Sequence, residues 1–507
     1  MKLGAEYLYQ LMWDKTCGFC EGQLIATGGA IPNNIESLFP DQFDVSTWNL
    51  APLSPISVRW TQGFGPVGSD IPRYSSAVWV QDDWTVASRL TLNLGLRYDL
   101  ELNAFANDVV MLPFLTGHQP NDFNNVGPRT GFSFSLNDRT VIRGGYGVYF
   151  GTVANAHFAK QYSQLILNTV TNDGRPDFAS NPYNGPAPTY ESLLAKLCTP
   201  ALVPGCLRRD VLTGGPVYAP NMVMPYSHQG SIGMQRQVGA TMAIEADYAY
   251  TGTRGQLRDL PINISYNPAT GVNYPFSDIS KRPYPEWGYI SLTVPGARGN
   301  RHALQTSLTK RFSGGWQASG TYTLSGSWDA NPRPIDGLTF QPVSFPTAPD
   351  LGGEYSLAIG DQRHRAVFNG LWQLRYGFQL SGLYFYGSGE RYHTQYGPDL
   401  RLIGQIRPNE HRLRPDGTIV ARNSFVGSPI HRVDVRLQRR IPLGGHAGVD
   451  GLLEVFNLFN HANYGSYAGT SSSAAGGEVS RNYLQPQQNT AVAYAPRILQ
   501  LGFRFAF

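Results

Sequence analysis

Four cysteines are the residues of this chain whose spacing first suggests chemistry, and they fall into two close pairs, Cys17 with Cys20 and Cys198 with Cys206. Thiols this close together suit disulfides formed in an oxidising compartment, the periplasm or the cell surface. A Cys-x-x-Cys can also be half of a zinc site or a redox motif, but a distant second pair with different spacing makes a four-thiolate site the weaker assignment. The histidines, His118, His157, His228, His302, His364, His393, His411, His431, His446 and His461, are scattered. They form no nucleophile, base and carboxylate constellation, so no enzymatic role, metal or cofactor is expected. Charge is more ordered. Between Ile430 and Ile441, Arg432, Asp434, Arg436, Gln438 and Arg440 share one parity, whereas Val433, Val435, Leu437 and Ile441 share the other. On a strand the two sets point to opposite sides, which makes one polar face and one apolar face. Such a charge ladder can guide a polar solute; the plainer reading is that it hydrates and cross-links an enclosed interior. Arg439 breaks the pattern.

Long alternating strands must position these residues. The chain ends in RILQLGFRFAF from Arg497, with Leu499, Leu501, Phe503, Phe505 and Phe507 on one face and Gln500, Gly502, Arg504 and Ala506 on the other. From Ser88 to Glu101, Leu90, Leu92, Leu94, Leu96, Tyr98 and Leu100 oppose Thr91, Asn93, Gly95, Arg97, Asp99 and Glu101. The same alternation returns from Ala240 to Tyr250 and from Trp316 to Ser325. Segments of about ten residues match a tilted crossing of a bilayer. On the apolar face a charge costs about 2–4 kcal/mol at the midplane, so Arg432, Asp434, Arg436 and Arg440 should face a lumen. Trp79, Trp84, Tyr98, Tyr146, Tyr149, Phe150, Tyr322, Tyr384 and Tyr386 fall near strand ends, where aromatic girdles sit.

Composition agrees. Charged residues are 15% of the chain, against about 25% in ordinary soluble proteins. Aromatics reach 12%, and Gly (56) and Pro (36) are frequent enough to furnish many loops. No apolar run is long enough for a membrane helix, so a membrane-spanning form must use strands. The net charge of +4 is spread thinly and gives no reason to expect a nucleic-acid partner.

Connections alternate between short and long. Short links fall near 85–87, 137–138, 239, 313–314, 375 and 444–445, and long ones at about 102–125, 152–225, 253–300, 329–360, 389–429 and 459–495. Short turns on one rim and long loops on the other are the asymmetry of outer-membrane barrels. The count is about 16 strands, the first running outward and the last inward. Residues 31–55 are too polar for a minimal turn, with room for a short helix near Ile35 to Phe39.

Four blocks and the terminal strand resemble the barrel of TonB-dependent outer-membrane receptors, the Oar-like group in particular. They are SSAVWVQDDWTVASRLTLNLGLRYDLE from Ser75, NVGPRTGFSFSLNDRTVIRGGYGVYFG from Asn125, DQRHRAVFNGLWQL from Asp361 and LLEVFNLFNHANYG from Leu452. The resemblance covers nearly the whole of residues 1–507. It implies an all-β antiparallel transmembrane barrel of 22 strands in the bacterial cell outer membrane, filled by an amino-terminal plug that engages the TonB complex. The first residues, from Met1 to Tyr7, read as a strand start and not as a secretory signal. The chain is therefore expected to be the carboxy-terminal part of such a barrel, without plug or first strands. The implied partners are TonB through that plug, the outer-membrane assembly machinery, outer-membrane lipids and an unidentified extracellular solute. Phe503, Phe505 and Phe507 resemble the family's assembly signal. A surface adhesion barrel and a passive porin-like channel are the alternatives to TonB-energised uptake.

Overall fold

Alternating segments bury one face each and satisfy their backbones only by pairing edge to edge, and this governs the whole chain. The computed structural model describes every residue except 15–18, 67, 154–158, 161–162, 212–216, 331–354, 401, 403–411, 445–446, 472–478, 488–493 and 507. The strands are β1 (Lys2–Asp14), β2 (Ser69–Ala87), β3 (Leu90–Leu102), β4 (Val126–Asn137), β5 (Thr140–Phe150), β6 (Tyr226–Val238) and β7 (Met242–Pro261). They continue as β8 (Trp287–Ser313), β9 (Trp316–Asp329), β10 (His364–Gln373), β11 (Phe378–Gly387), β12 (Ile430–Gly444), β13 (Ala447–Phe456) and β14 (Ile498–Ala506). Each pairs antiparallel with the next from β1 to β14.

The sheet has 17 strands in all, of which 14 are the long strands above, where about 16 were expected. The short segments Arg209–Val211, Val217–Tyr218 and Ser356–Leu357 join it on the long-loop side. The hairpin between β8 and β9 shows why one rim is tight: Gly314 and Gly315 both take positive φ (61° and 81°). That conformation matches the twist of paired strands and favours glycine.

Two stretches differ from the sequence expectation. The loop expected across 253–300 is largely strand, with β7 and β8 paired as far as Pro261 and Ser291. Gly255 and Pro295 read as breakers, yet register shifts between Thr253 and Arg258 absorb the irregularity as bulges. Residues 31–55 lie on the long-loop side and contain the expected helical turn as a 3-10 helix, Ile35–Leu38. Nearby, Gln23–Ile25, Arg59–Phe64 and Ile166–Thr171 form a separate three-stranded sheet that ties the first long loop to the one after β5.

The apolar face carries large exposed side chains on strand after strand, including Leu94, Leu96, Ile232, Leu304, Phe368 and Phe503. In water such a surface would drive association; against lipid it is the expected exterior of a barrel. No helix among the described residues is long and apolar enough to cross a membrane.

Candidate solute-facing interior and its cap

The polar face is built from charges paired across neighbouring strands. Register fixes the partners: Asp83 lies opposite Asn93, and Trp79 opposite Arg97. Asn93 donates to Asp83 at 2.7 Å, Lys2 reaches Asp83 at 3.2 Å, and Arg97 bridges Glu6 (3.2 Å) and Asp99 (2.8 Å). The Arg97 guanidinium also sits 5.3 Å from the centre of the Trp79 ring, and that of Arg129 sits 4.5 Å from the centre of Tyr149. Arg143 contacts both Glu245 and Asp247. A cavity of ≈ 530 Å³ is lined here by Trp79, Gln81, Asn93, Arg97, Arg129 and Tyr149. Trp79 and Tyr149 thus share the polar face with two arginines and do not belong to the lipid girdle, because each has the parity of the charges beside it.

Beside this cavity is a second of ≈ 260 Å³, lined by Glu6, Gln10, Arg97, Asp99 and Glu101 and bounded by Phe150, Gly151, Thr152 and Met224. Arg97 lines both. A buried ion pair, Arg73 with Glu101, stands where the strands meet the loops, and Arg73 also donates to the Val153 carbonyl. The described parts of two loops, within residues 103–125 and 151–225, fold inward over this point. Ile71, Phe105, Met111, Leu115, Val153, Tyr218, Met224 and Ile290 are buried together in one apolar cluster. The Met224 N–H donates to Asp122 at 2.7 Å, joining the two loops. These two loops therefore form a packed cap with its own core.

The cap also covers a strand edge. Above the end of β9, Arg209–Val211 and Val217–Tyr218 pair in parallel with β8, occupying backbone groups that would otherwise be free to recruit another chain. Asp210 accepts from the Tyr289 N–H at 2.7 Å. Burial pushes its carboxyl above the ordinary range, partly offset by that hydrogen bond and by the Arg282 charge. Burial likewise lowers the neighbouring Arg209.

Of the residues singled out from sequence, Cys198 and Cys206 are joined, with Cα atoms 4.8 Å apart, just after the short helix Tyr190–Leu194. Cys17 and Phe507 lie outside the described residues. Arg432 donates to Asp434 at 2.9 Å, and Arg436 to Glu454 at 2.8 Å. Arg440 lies opposite Asp450, which in turn lies opposite Arg504. Phe503 and Phe505 have the opposite parity and are exposed. Arg439, on the apolar face, lays its guanidinium 4.9 Å from the centre of the Phe378 ring. What sequence reading missed is that four of the scattered histidines share one setting: His228, His302, His364 and His431 each meet a tyrosine of the preceding strand. The signal was a tyrosine before and a histidine after each of four long connections.

A strand sheet with a polar interior, an apolar exterior and a capped long-loop rim defines an outer-membrane barrel. Residues 1–419 match the model of the outer membrane beta barrel domain family, and the chain belongs to it. Its place is the bacterial outer membrane. Among curated proteins it is similar to the TonB-dependent transporter Oar of Myxococcus xanthus, with 24% identity over 418 residues, 75% of this chain and 35% of that protein. The chain thus spans well under half the length of that relative. Among solved structures it resembles the outer membrane transporter YddB from Escherichia coli, with a TM-score of 0.48, 10% identity and coverage of 80% of this chain and 44% of that one. It also resembles the FrpB iron transporter from Neisseria meningitidis, with a TM-score of 0.45, 12% identity and coverage of 86% and 45%.

Proposed function

We propose that this chain forms the barrel wall of a TonB-energised importer, with the polar face, including Arg432, Asp434, Arg436 and Arg440, lining the lumen. The observation that carries the reading is the pair of adjoining polar cavities, the smaller one bordered by the cap, in an outer-membrane barrel whose sequence is similar to a TonB-dependent transporter. A solute met by the cap would pass from the smaller cavity to the larger along Arg97, Trp79, Arg129 and Tyr149. Those groups suit a polar solute with anionic or ring-bearing parts, which guanidinium and aromatic faces hold together.

Solute depletion from a defined medium tests this reading in three strains: one producing the protein, one lacking it, and one producing it without TonB. The expected outcome is a solute whose uptake is lost in both deletion strains. Uptake that survives loss of TonB would assign a passive channel. No solute lost with the protein would leave a surface anchor.

A further inference from the structure

On the apolar face of four successive long-loop hairpins, a tyrosine hydroxyl meets the Nδ1 of a histidine on the next strand. The pairs are Tyr146 and His228 at 2.6 Å, Tyr248 and His302 at 2.6 Å, Tyr322 and His364 at 2.8 Å, and Tyr384 and His431 at 3.1 Å. The register repeats. Each tyrosine lies opposite the residue two places after the histidine: Tyr146 opposite Gly230, Tyr248 opposite Leu304, Tyr322 opposite Ala366 and Tyr384 opposite Val433. Repetition from β5 to β12 sets the four rings in one band at the long-loop edge of the apolar face.

Further rings steady the band: Tyr226 lies 5.4 Å from His228, Tyr250 lies 5.0 Å from His302, and Tyr386 lies 5.0 Å from His431, centre to centre. Among the described residues no second hydrogen-bond partner meets these imidazoles. Where the tyrosine donates to Nδ1, a neutral ring carries its proton on Nε2. Depth follows from β10, where His364 stands eight residues from Trp372, whose ring stacks on Trp316 near the opposite rim. Eight residues span about 26 Å along a strand and about 20 Å along the membrane normal at the usual tilt, which puts the histidines at headgroup level.

We propose that the four Tyr–His pairs are binding sites for lipid headgroup phosphate in the outer leaflet, each Nε2–H donating to a phosphate oxygen. The occupant is a lipid because the pairs border exposed Ile232, Leu304, Leu324 and Phe368 on the same face. Acyl chains cover those residues while the headgroup phosphate reaches the ring; a free anion would satisfy only the ring. The proposal rests on the chain's place in the membrane and is independent of import.

The test measures the thermal unfolding midpoint of the protein as assembled in outer membranes and extracted into uncharged maltoside micelles, titrated separately with dimyristoyl phosphatidic acid, dimyristoylglycerol and inorganic phosphate. Phosphatidic acid alone is expected to raise the midpoint saturably. The variant carrying His228→Phe, His302→Phe, His364→Phe and His431→Phe together should need several-fold more of it. An equal rise with dimyristoylglycerol or inorganic phosphate, or an unchanged response in the variant, overturns the proposal. If the fourfold variant does not fold, the four single variants are titrated in the same way. Each should weaken the response, and four unchanged responses overturn the proposal.

Discussion

At the residue scale, the buried groups of the cap carry the clearest energetic consequences. Asp210 has its carboxyl raised by burial, so the folded cap holds that proton more tightly than the unfolded chain does. Its contribution is complete below the unfolded carboxylate value of about 3.9 and is lost as pH rises through the folded value. Through this group the cap should resist protease better near pH 4 than at neutrality. Asp210→Asn, which keeps an acceptor for the Tyr289 N–H, should flatten that part of the dependence. Limited proteolysis of both proteins across this range checks it, and identical profiles would remove Asp210 from the account. The Arg73–Glu101 pair makes a sharper case, because removing one partner leaves the other charge buried. Glu101→Ala should cost about 3 kcal/mol or more, whereas Arg73→Met with Glu101→Leu should cost less, as read by unfolding of the barrel in denaturant. Neither pair was legible in the sequence. Parity placed Glu101 among the polar residues, but its burial depends on a loop far along the chain, and local spacing does not report where a loop folds back.

At the element scale, period-two alternation was legible because each strand meets two different solvents. The facing read from residues 88–101 can be tested directly: Leu94 is exposed on the apolar face, while Asn93 donates to Asp83 on the other. Leu94→Arg should destabilise the barrel by about 2–4 kcal/mol if it lies near the midplane, and Asn93→Arg by much less. Equal shifts in the unfolding midpoint would overturn the assignment. Strand ends were less legible. Gly255 and Pro295 punctuate a sequence without ending its strands, because a bulge lets the ladder resume beyond them. The Tyr–His pairs are not legible for a related reason: pairing across a long-loop hairpin depends on register, which the pattern of the paired strands sets.

At the scale of the whole molecule, the sheet has two ends. Among the described residues β1 pairs only with β2, and β14 only with β13. Unpaired backbone groups facing hydrocarbon cost several kcal/mol each, so neither edge can remain open in the membrane. Closure comes either from β1 pairing with β14 or from other strands bridging them. We propose the second. Cysteines placed at Ala5 on β1 and Phe503 on β14, in the protein assembled in outer membranes, are expected to give no intrachain crosslink on mild oxidation. Rapid and complete intrachain crosslinking would show that the two edges meet. The polar face would then enclose a narrower lumen, and the cap over Arg73 and Glu101 would close most of its mouth. In that event the route along Arg97 and Trp79 would have too little width for a bulky solute, and the import reading would have to give way to that of a loop-bearing surface barrel.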